Sequence, residues 1–430
     1  MTQAPALIVP SSQSVLTTVD WIRIVPEIAT RLVLGAKPVS ANAPVIEFEG
    51  KQITVDPGAL AVALEIAAKL PRPSDRLSVT DVLNLRHQAE EMFLEQLMPK
   101  KYLTSVLFVP TASIAGGFYR AKLPVNVMRE RDKILAHWTE TPDLGKILRF
   151  NALWIQLQTS VLMYGLALEA QKRGVKIVFD LDDDFENVPQ WNPAAKVCDR
   201  EMIERYWKMI ELADCVTVST QTLAKKVMGR AKRIEVLPNH IPVKYWPKKV
   251  ARADELKRIL WAGSPSHEKD LELVADAIVQ ILEENPRARF VCFGTQAPMA
   301  LRKPKYADKI ELLPFVSFDD YPEALAAVGA EVAICPLVDH PFNRAKSAIK
   351  FCEMAACGYP VLASPVGEYA EVIKNGKTGI LVEDCDWVGM LEQGIDGNLS
   401  QIGKAGYEWV LANRDSDRGA EFWENVAITI

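Results

Sequence analysis

The chain has 430 residues, 49% hydrophobic and 24% charged, with a formal net charge of −5. Those proportions exclude a disordered tail protein or a fibre, and the acidic balance argues against a general polyanion-binding surface. At roughly 150 residues per domain, the length accommodates two to three domains.

In the first hundred residues, alternation around Glu49-Gly50-Lys51 predicts a hairpin over Pro44–Val55. Asp56-Pro57-Gly58 then opens a helix through Lys69, and a second helix is expected from about Ser78 to Gln96. No chemistry is evident here, so residues 1–103 read as an accessory α+β segment or an elaboration of the next domain. From residue 104 the character changes to short continuous apolar runs, as in strands covered on both faces. They are Ser105–Pro110, Lys133–Trp138, Val175–Leu181, Cys215–Ser219 and Ile234–Leu237. Helical stretches at Leu162–Lys172, Arg200–Leu212 and Thr222–Met228 lie between them. This alternation predicts a doubly wound parallel sheet over 104–240.

Prolines and a lysine cluster mark 241–257 as a linker. A second alternating series follows over 258–414. Its strands are Arg258–Ala262, Ala288–Phe293, Ile310–Leu313, Val332–Pro336 and Pro360–Ala363; its helices are Glu268–Glu284, Tyr321–Ala327, Lys346–Cys357 and Tyr369–Asn375. The expected fold is therefore α/β, two tandem Rossmann-like domains facing a cleft. Residues 415–430 read as a last helix crossing back to the first domain.

The seven cysteines are scattered and odd in number, and no second Cys or His pair completes a zinc site beside Cys352 and Cys357. Buried, reduced thiols are expected. The N-terminus lacks a basic n-region, and no apolar run approaches the roughly 20 residues of a membrane span. A cytoplasmic protein without a transmembrane segment is the expectation.

Two stretches carry candidate chemistry. In the first, Lys346, Lys350 and Glu353 recur at i, i+4 and i+7, on one face of the expected helix. Two lysines four apart near a helix N-terminus repel each other and oppose the macrodipole. A bound anion would offset both, and the helix start adds free N–H groups. In the second, the strand 258–262 ends in Gly263-Ser264 with His267 close behind. Such strand ends are where ligands bind in open α/β sheets.

Together with Ala115-Gly116-Gly117, Val236-Leu237-Pro238-Asn239, Ala355-Ala356-Cys357-Gly358-Tyr359-Pro360-Val361 and Asn375-Gly376-Lys377-Thr378-Gly379, these stretches resemble the retaining glycosyltransferases of the GT-B fold, family 4-like (glycosyltransferase group 1). The resemblance covers about residues 104–425. It implies a nucleotide-diphosphate sugar as donor substrate, no obligatory cofactor and no metal. Glu353 takes the place of the acid that binds the nucleotide ribose. Lys346, Lys350 and Lys269 are candidates to clamp the diphosphate, with Gly263 and Ser264 beside it. At the first acidic position of the motif this chain has Ala345. The sugar contacts then fall to Asn343 and Ser347, or the donor is unusual, or activity is lost.

Asp182-Asp183-Asp184 ends the strand 175–181 and points into the expected cleft. An Asp-x-Asp pattern can hold a divalent cation. A fold with its own nucleotide-binding half favours acceptor binding or acid–base work for Asp182 and Asp183, with His267 as a further catalytic candidate. Gly116, Gly117 and Arg120 are expected to meet the acceptor. A saccharide or glycolipid acceptor is favoured over DNA carrying a modified base, which the basic clusters Lys225–Arg233 and Lys244–Lys249 leave open. A sugar-nucleotide epimerase and a non-catalytic nucleotide-sugar or glycan-binding protein are the other readings.

Overall fold

Strands that are apolar on both faces need helices over each side, and parallel neighbours need crossovers to connect them. From residue 104 onward the chain satisfies both conditions twice. The computed structural model describes residues 104–430 except 112, 113 and 132, together with 25–26, 28–30, 32–33, 37–40, 43–48, 51–54, 57–70, 88–89 and 92. The chain forms two compact units, Met1–Tyr102 and Leu103–Ile430.

In the first unit, β1 (Lys37–Ser40), β2 (Ala43–Phe48) and β3 (Lys51–Thr54) make an antiparallel sheet in that order. Phe48 pairs with Lys51, which gives the hairpin expected around Glu49-Gly50-Lys51. The helix Pro57–Lys69 follows, with proline at its first position, where a missing N–H costs nothing. The helix expected from Ser78 to Gln96 lies largely outside the described residues.

In the second unit, β4 (Ser105–Val109), β5 (Leu135–Trp138), β6 (Ala152–Gln156), β7 (Lys176–Leu181), β8 (Cys215–Val218) and β9 (Ile234–Val236) form a sheet ordered β5-β4-β6-β7-β8-β9. β10 (Lys257–Ala262), β11 (Ala288–Phe293), β12 (Ile310–Leu313), β13 (Val332–Cys335), β14 (Val361–Ala363) and β15 (Ile380–Leu381) form a second, ordered β12-β11-β10-β13-β14-β15. All pairings in both sheets are parallel. The architecture is the GT-B arrangement of two Rossmann-like domains. β6 went unassigned in the sequence, although Trp154 and its neighbours are buried like those of the other strands.

A helical stretch after β4 was not foreseen either. It runs Ile114–Gly117, passes through a π-helical turn at Phe118–Lys122, and continues over Leu123–Arg131. The expected helix 268–284 is divided into Glu268–Glu272 and Ala275–Glu284. The chain crosses between the sheets at two adjacent points. The N–H of Ile241 donates to the Arg414 carbonyl (2.9 Å), and the N–H of Ser416 donates to the Ile241 carbonyl (2.8 Å). The final helix, Ser416–Thr429, lies against Leu123–Arg131, where Glu424 accepts from Arg131 at 2.8 Å.

All seven cysteines are unpaired, and five of them are buried. No described helix is long and apolar enough to cross a membrane.

Candidate active site

β10 and β13 are neighbours in the second sheet, while β11 and β12 extend it on the other side of β10. The loops leaving β10 and β13 therefore diverge and open a crevice at the strand ends. Gly263 sits in the first of these loops. A Cβ there would lie 2.7 Å from Lys350 Nζ and 2.8 Å from the Trp261 ring, so only glycine fits. The space over Gly263 is taken by Lys350 Nζ and the Trp261 ring.

Lys350 and Glu353 stand on the helix Ile349–Ala356. Lys350 Nζ lies 5.0 Å from the centroid of Trp261. Among the described residues no carboxylate is within ion-pair distance of it. Burial pushes its pKa down to about 8. Glu353 is 7% exposed. It accepts hydrogen bonds from the hydroxyls of Tyr119 (2.6 Å) and Tyr321 (3.3 Å). Burial raises its carboxyl to about 7, against the opposing pull of the Tyr119 hydrogen bond and Lys350.

Lys346 is not on that helix face. The helix begins three residues later, and Lys346 instead reaches across the cleft to Asp183 (2.7 Å). The expected repulsion between the two lysines is relieved by this carboxylate. The helix start is also less open to an anion than expected, because the N–H of Ala348 donates to Glu368 (2.6 Å), which Arg414 holds from the other side (2.6 Å).

The remaining second-domain candidates divide. Asn343 is buried and donates to Asp270 (2.8 Å) and to the Val338 carbonyl (2.9 Å). Ser347 accepts from Asn239 of the first domain (2.8 Å). Ser264 pairs with Ser266 at an exposed turn, and Lys269 is exposed. His267 meets Asp270 at 2.8 Å.

On the first-domain side, Arg120 is corrected most. It is 3% exposed and its guanidinium makes four hydrogen bonds within the first domain. It grips Asp180 through two nitrogens (2.5 and 2.9 Å), and donates to Asn239 (3.0 Å) and to the Leu237 carbonyl. Thr217 adds a hydrogen bond to Asp180 at 2.6 Å. Arg120 is a framework group: four of its five N–H donors are spent on Asp180, Asn239 and Leu237 beneath the cleft. Gly116 and Gly117 lie in helix, not in a loop. A Cβ on Gly117 would meet the Thr111 carbonyl at 2.7 Å, so this glycine allows helix and loop to pack.

The three acids also separate. Asp184 is buried, caps the short turn Phe185–Asn187 and pairs with Lys226 (2.5 Å). Asp183 holds Lys346. Asp182 accepts from Gln156 (3.1 Å), whose own oxygen accepts the N–H of Thr111 (2.8 Å). Burial, then Asp183 and Asp180, raise the Asp182 carboxyl above the ordinary range.

The two domains touch along this same line. Thr220 donates to the Ala345 carbonyl (2.9 Å), and Phe118 stacks on Phe318 with centroids 3.9 Å apart. Tyr119, Tyr321, Asp270 and Gln156 were not found in the sequence. A tyrosine two residues beyond a Gly-Gly pair carries no periodicity that reveals a partner 234 residues away. Among the described residues no group of three or more His, Cys, Asp and Glu could hold a metal ion.

The fold agrees with known GT-B structures. Anabaena HepE in complex with UDP and glucose superposes with a TM-score of 0.57, at 14% identity, over 76% of this chain and all of that one. Sucrose-phosphate synthase from Thermosynechococcus elongatus gives 0.55 at 14% identity, over 75% and 98%. At these identities the likeness establishes the fold. Residues 256–400, which hold the Lys350–Glu353 crevice, match the family described as Glycosyl transferases group 1. An uncharacterized glycosyltransferase of Methanocaldococcus jannaschii is 28% identical over 184 residues, which span 40% of this chain and 43% of the relative's length.

Proposed function

We propose that the chain is a glycosyltransferase. The second domain holds a nucleotide-diphosphate sugar, foremost a UDP-sugar, and the first presents an acceptor hydroxyl. The observation that carries this reading is Lys350: a half-buried cation with no carboxylate partner among the described residues, three residues from a carboxylate that accepts from two hydroxyls. Holding an unpaired charge partly out of water is costly, and a diphosphate would repay it. Glu353 is suited to accept the ribose hydroxyls, exchanging them for the Tyr119 hydroxyl. The group 1 match and the UDP complexes of HepE support the same donor class.

In this reading the glycosidic bond to the diphosphate breaks through an oxocarbenium-like transition state. Lys350, with Lys346, stabilises the charge that develops on the leaving diphosphate. Asp182, whose carboxyl is held partly protonated, is placed to take the acceptor proton, with Asp183 and His267 beside the same cleft. The sugar is transferred with retention, as in the group that the sequence resembles; the anomer of the product, read by NMR, tests this.

The acceptor is a saccharide or glycolipid rather than DNA. The basic cluster that left DNA open is largely neutralised within the chain. Lys226 pairs with Asp184 and Glu186, Arg230 with Glu211, Arg233 with Glu235 and Lys244 with Glu130. A salt titration tests this point, because contacts to DNA phosphates would weaken steeply with salt.

Asp183 and Asp184 each already face a lysine, so the acidic cluster is not an obligatory cation site. Release of nucleoside diphosphate from a panel of nucleotide sugars is expected to persist in excess EDTA. Asp182→Asn is expected to lower turnover on the order of 10²-fold while leaving donor affinity nearly unchanged. Loss of turnover in EDTA, restored by Mn²⁺, would reassign these acids. Binding without any turnover would favour the non-catalytic reading that Ala345 raises.

Binding is also expected to depend on pH. Glu353 must be ionised to accept both ribose hydroxyls, and Lys350 must be protonated to meet phosphate. With pKa values of about 7 and about 8, UDP affinity should fall below pH 7 and again above pH 8. Calorimetry from pH 6 to 9 checks this; affinity that is flat across the range would remove both groups from the site.

A further inference from the structure

The loops that leave β10 and β13 are joined by one buried carboxylate. The Asp270 side chain is 3% exposed. Its Oδ1 accepts the Val338 N–H (2.9 Å) and the Asn343 amide (2.8 Å), and its Oδ2 faces His267 Nδ1 at 2.8 Å. We propose that Asp270 is a positioning residue that holds His267 as the Nδ1–H tautomer, so that Nε2 offers a lone pair to a hydroxyl of the donor's sugar.

The proposal rests on the nucleotide-sugar reading of this crevice and extends it to a residue pair. The Val338 N–H can only donate, so Asp270 serves there as an acceptor. A carboxylate facing Nδ1 likewise requires that nitrogen to carry the hydrogen. Burial raises the Asp270 carboxyl, but the hydrogen bonds from His267 and the Val338 N–H and the nearby Lys350 charge together outweigh it and keep the group below its ordinary value. Burial, followed by the nearby Lys350 charge, lowers the His267 pKa to about 3, so the ring is neutral and has a single N–H. Nε2 has no hydrogen-bond partner among the described residues.

Placement supports the role. The turn Pro265–His267 packs against the first-domain turn Pro193–Lys196, so the imidazole belongs to the wall of the interdomain cleft. Lys350 and Lys346 near it are donors only, so they can recognise phosphate but cannot accept a hydroxyl proton. The His267 Nε2 lone pair supplies the acceptor they lack. Asp270 also holds Asn343, so the same carboxylate fixes both rims of the crevice.

The test is Asp270→Asn. The amide keeps an oxygen for Val338 but turns N–H groups toward His267, which should drive the ring to the Nε2–H tautomer. Long-range ¹H–¹⁵N NMR on the full chain reads this directly; it has five histidines, and His267→Ala assigns the signal. The expected result is an Nδ1–H ring in the wild type and an Nε2–H ring in Asp270→Asn. UDP release from UDP-glucose should fall at least tenfold, with UDP affinity within about twofold. In a His267→Ala background, Asp270→Asn should cause no further loss of turnover. An Nε2–H ring in the wild type would overturn the proposal. So would an equal additional loss in the His267→Ala background, which would make Asp270 purely structural. The tautomer is read without ligand, so it decides the proposal even if the wild type fails to bind UDP, a failure that would count against the donor site instead.

Discussion

Glu353→Ala is expected to weaken UDP binding by about 1.5–3 kcal/mol, on the order of 10- to 100-fold in Kd, the range for a hydrogen bond to a charged group. The truncation also leaves the buried Tyr119 hydroxyl and the half-buried Tyr321 hydroxyl without their acceptor. It should therefore cost stability of about 1–3 kcal/mol. Glu353→Gln separates the two effects, because its amide oxygen can still accept from Tyr119 while the charge is lost. Calorimetry should show weaker UDP binding in both variants, and thermal unfolding should show a large loss only in the alanine variant. Lys350→Ala has the opposite signature. It removes a half-buried cation that has no carboxylate partner among the described residues, so stability should hold or rise, while affinity falls more for UDP than for uridine. Unchanged UDP affinity in all three variants would remove the basis of the site.

Arg120→Ala should instead be the most damaging substitution for the fold. It leaves Asp180 as an unpaired charge in the interior beneath the cleft, and breaking such a pair costs about 3–5 kcal/mol. The Leu237 carbonyl and Asn239 lose a donor as well, and Asn239 is the residue that reaches Ser347 across the cleft. Urea unfolding should show the midpoint falling with little change in slope. A loss below about 1 kcal/mol would mean that water or another cation takes over at Asp180.

The fold was legible because its signal is repeated. Ten of the twelve strands of the parallel sheets coincide with apolar runs of the expected kind to within a residue or two at each end, since burial on both faces leaves little choice of residue. β15 has only two residues and carries no such pattern. Glu353 was legible as a candidate because Glu-Met-Ala-Ala-Cys-Gly follows one element without a break. Lys346 was misplaced by extending helical periodicity through residues 345–348, where Thr220 and Glu368 hold the backbone instead. Arg120 was misread because a cation near a glycine pair looks the same in sequence whether it faces a ligand or a buried aspartate 60 residues away. The Tyr119–Glu353 and Lys346–Asp183 contacts join the two domains, and no local pattern encodes such pairs.

The central claim is that Lys350 and Glu353 form the donor site, and a crystal structure of the chain grown with UDP tests it most directly. The diphosphate should lie within hydrogen-bond distance of Lys350 Nζ. The ribose hydroxyls should be on Glu353, with the Tyr119 hydroxyl displaced from Oε1. UDP bound elsewhere, with Tyr119 still on Glu353 and Lys350 still unpaired, would contradict it.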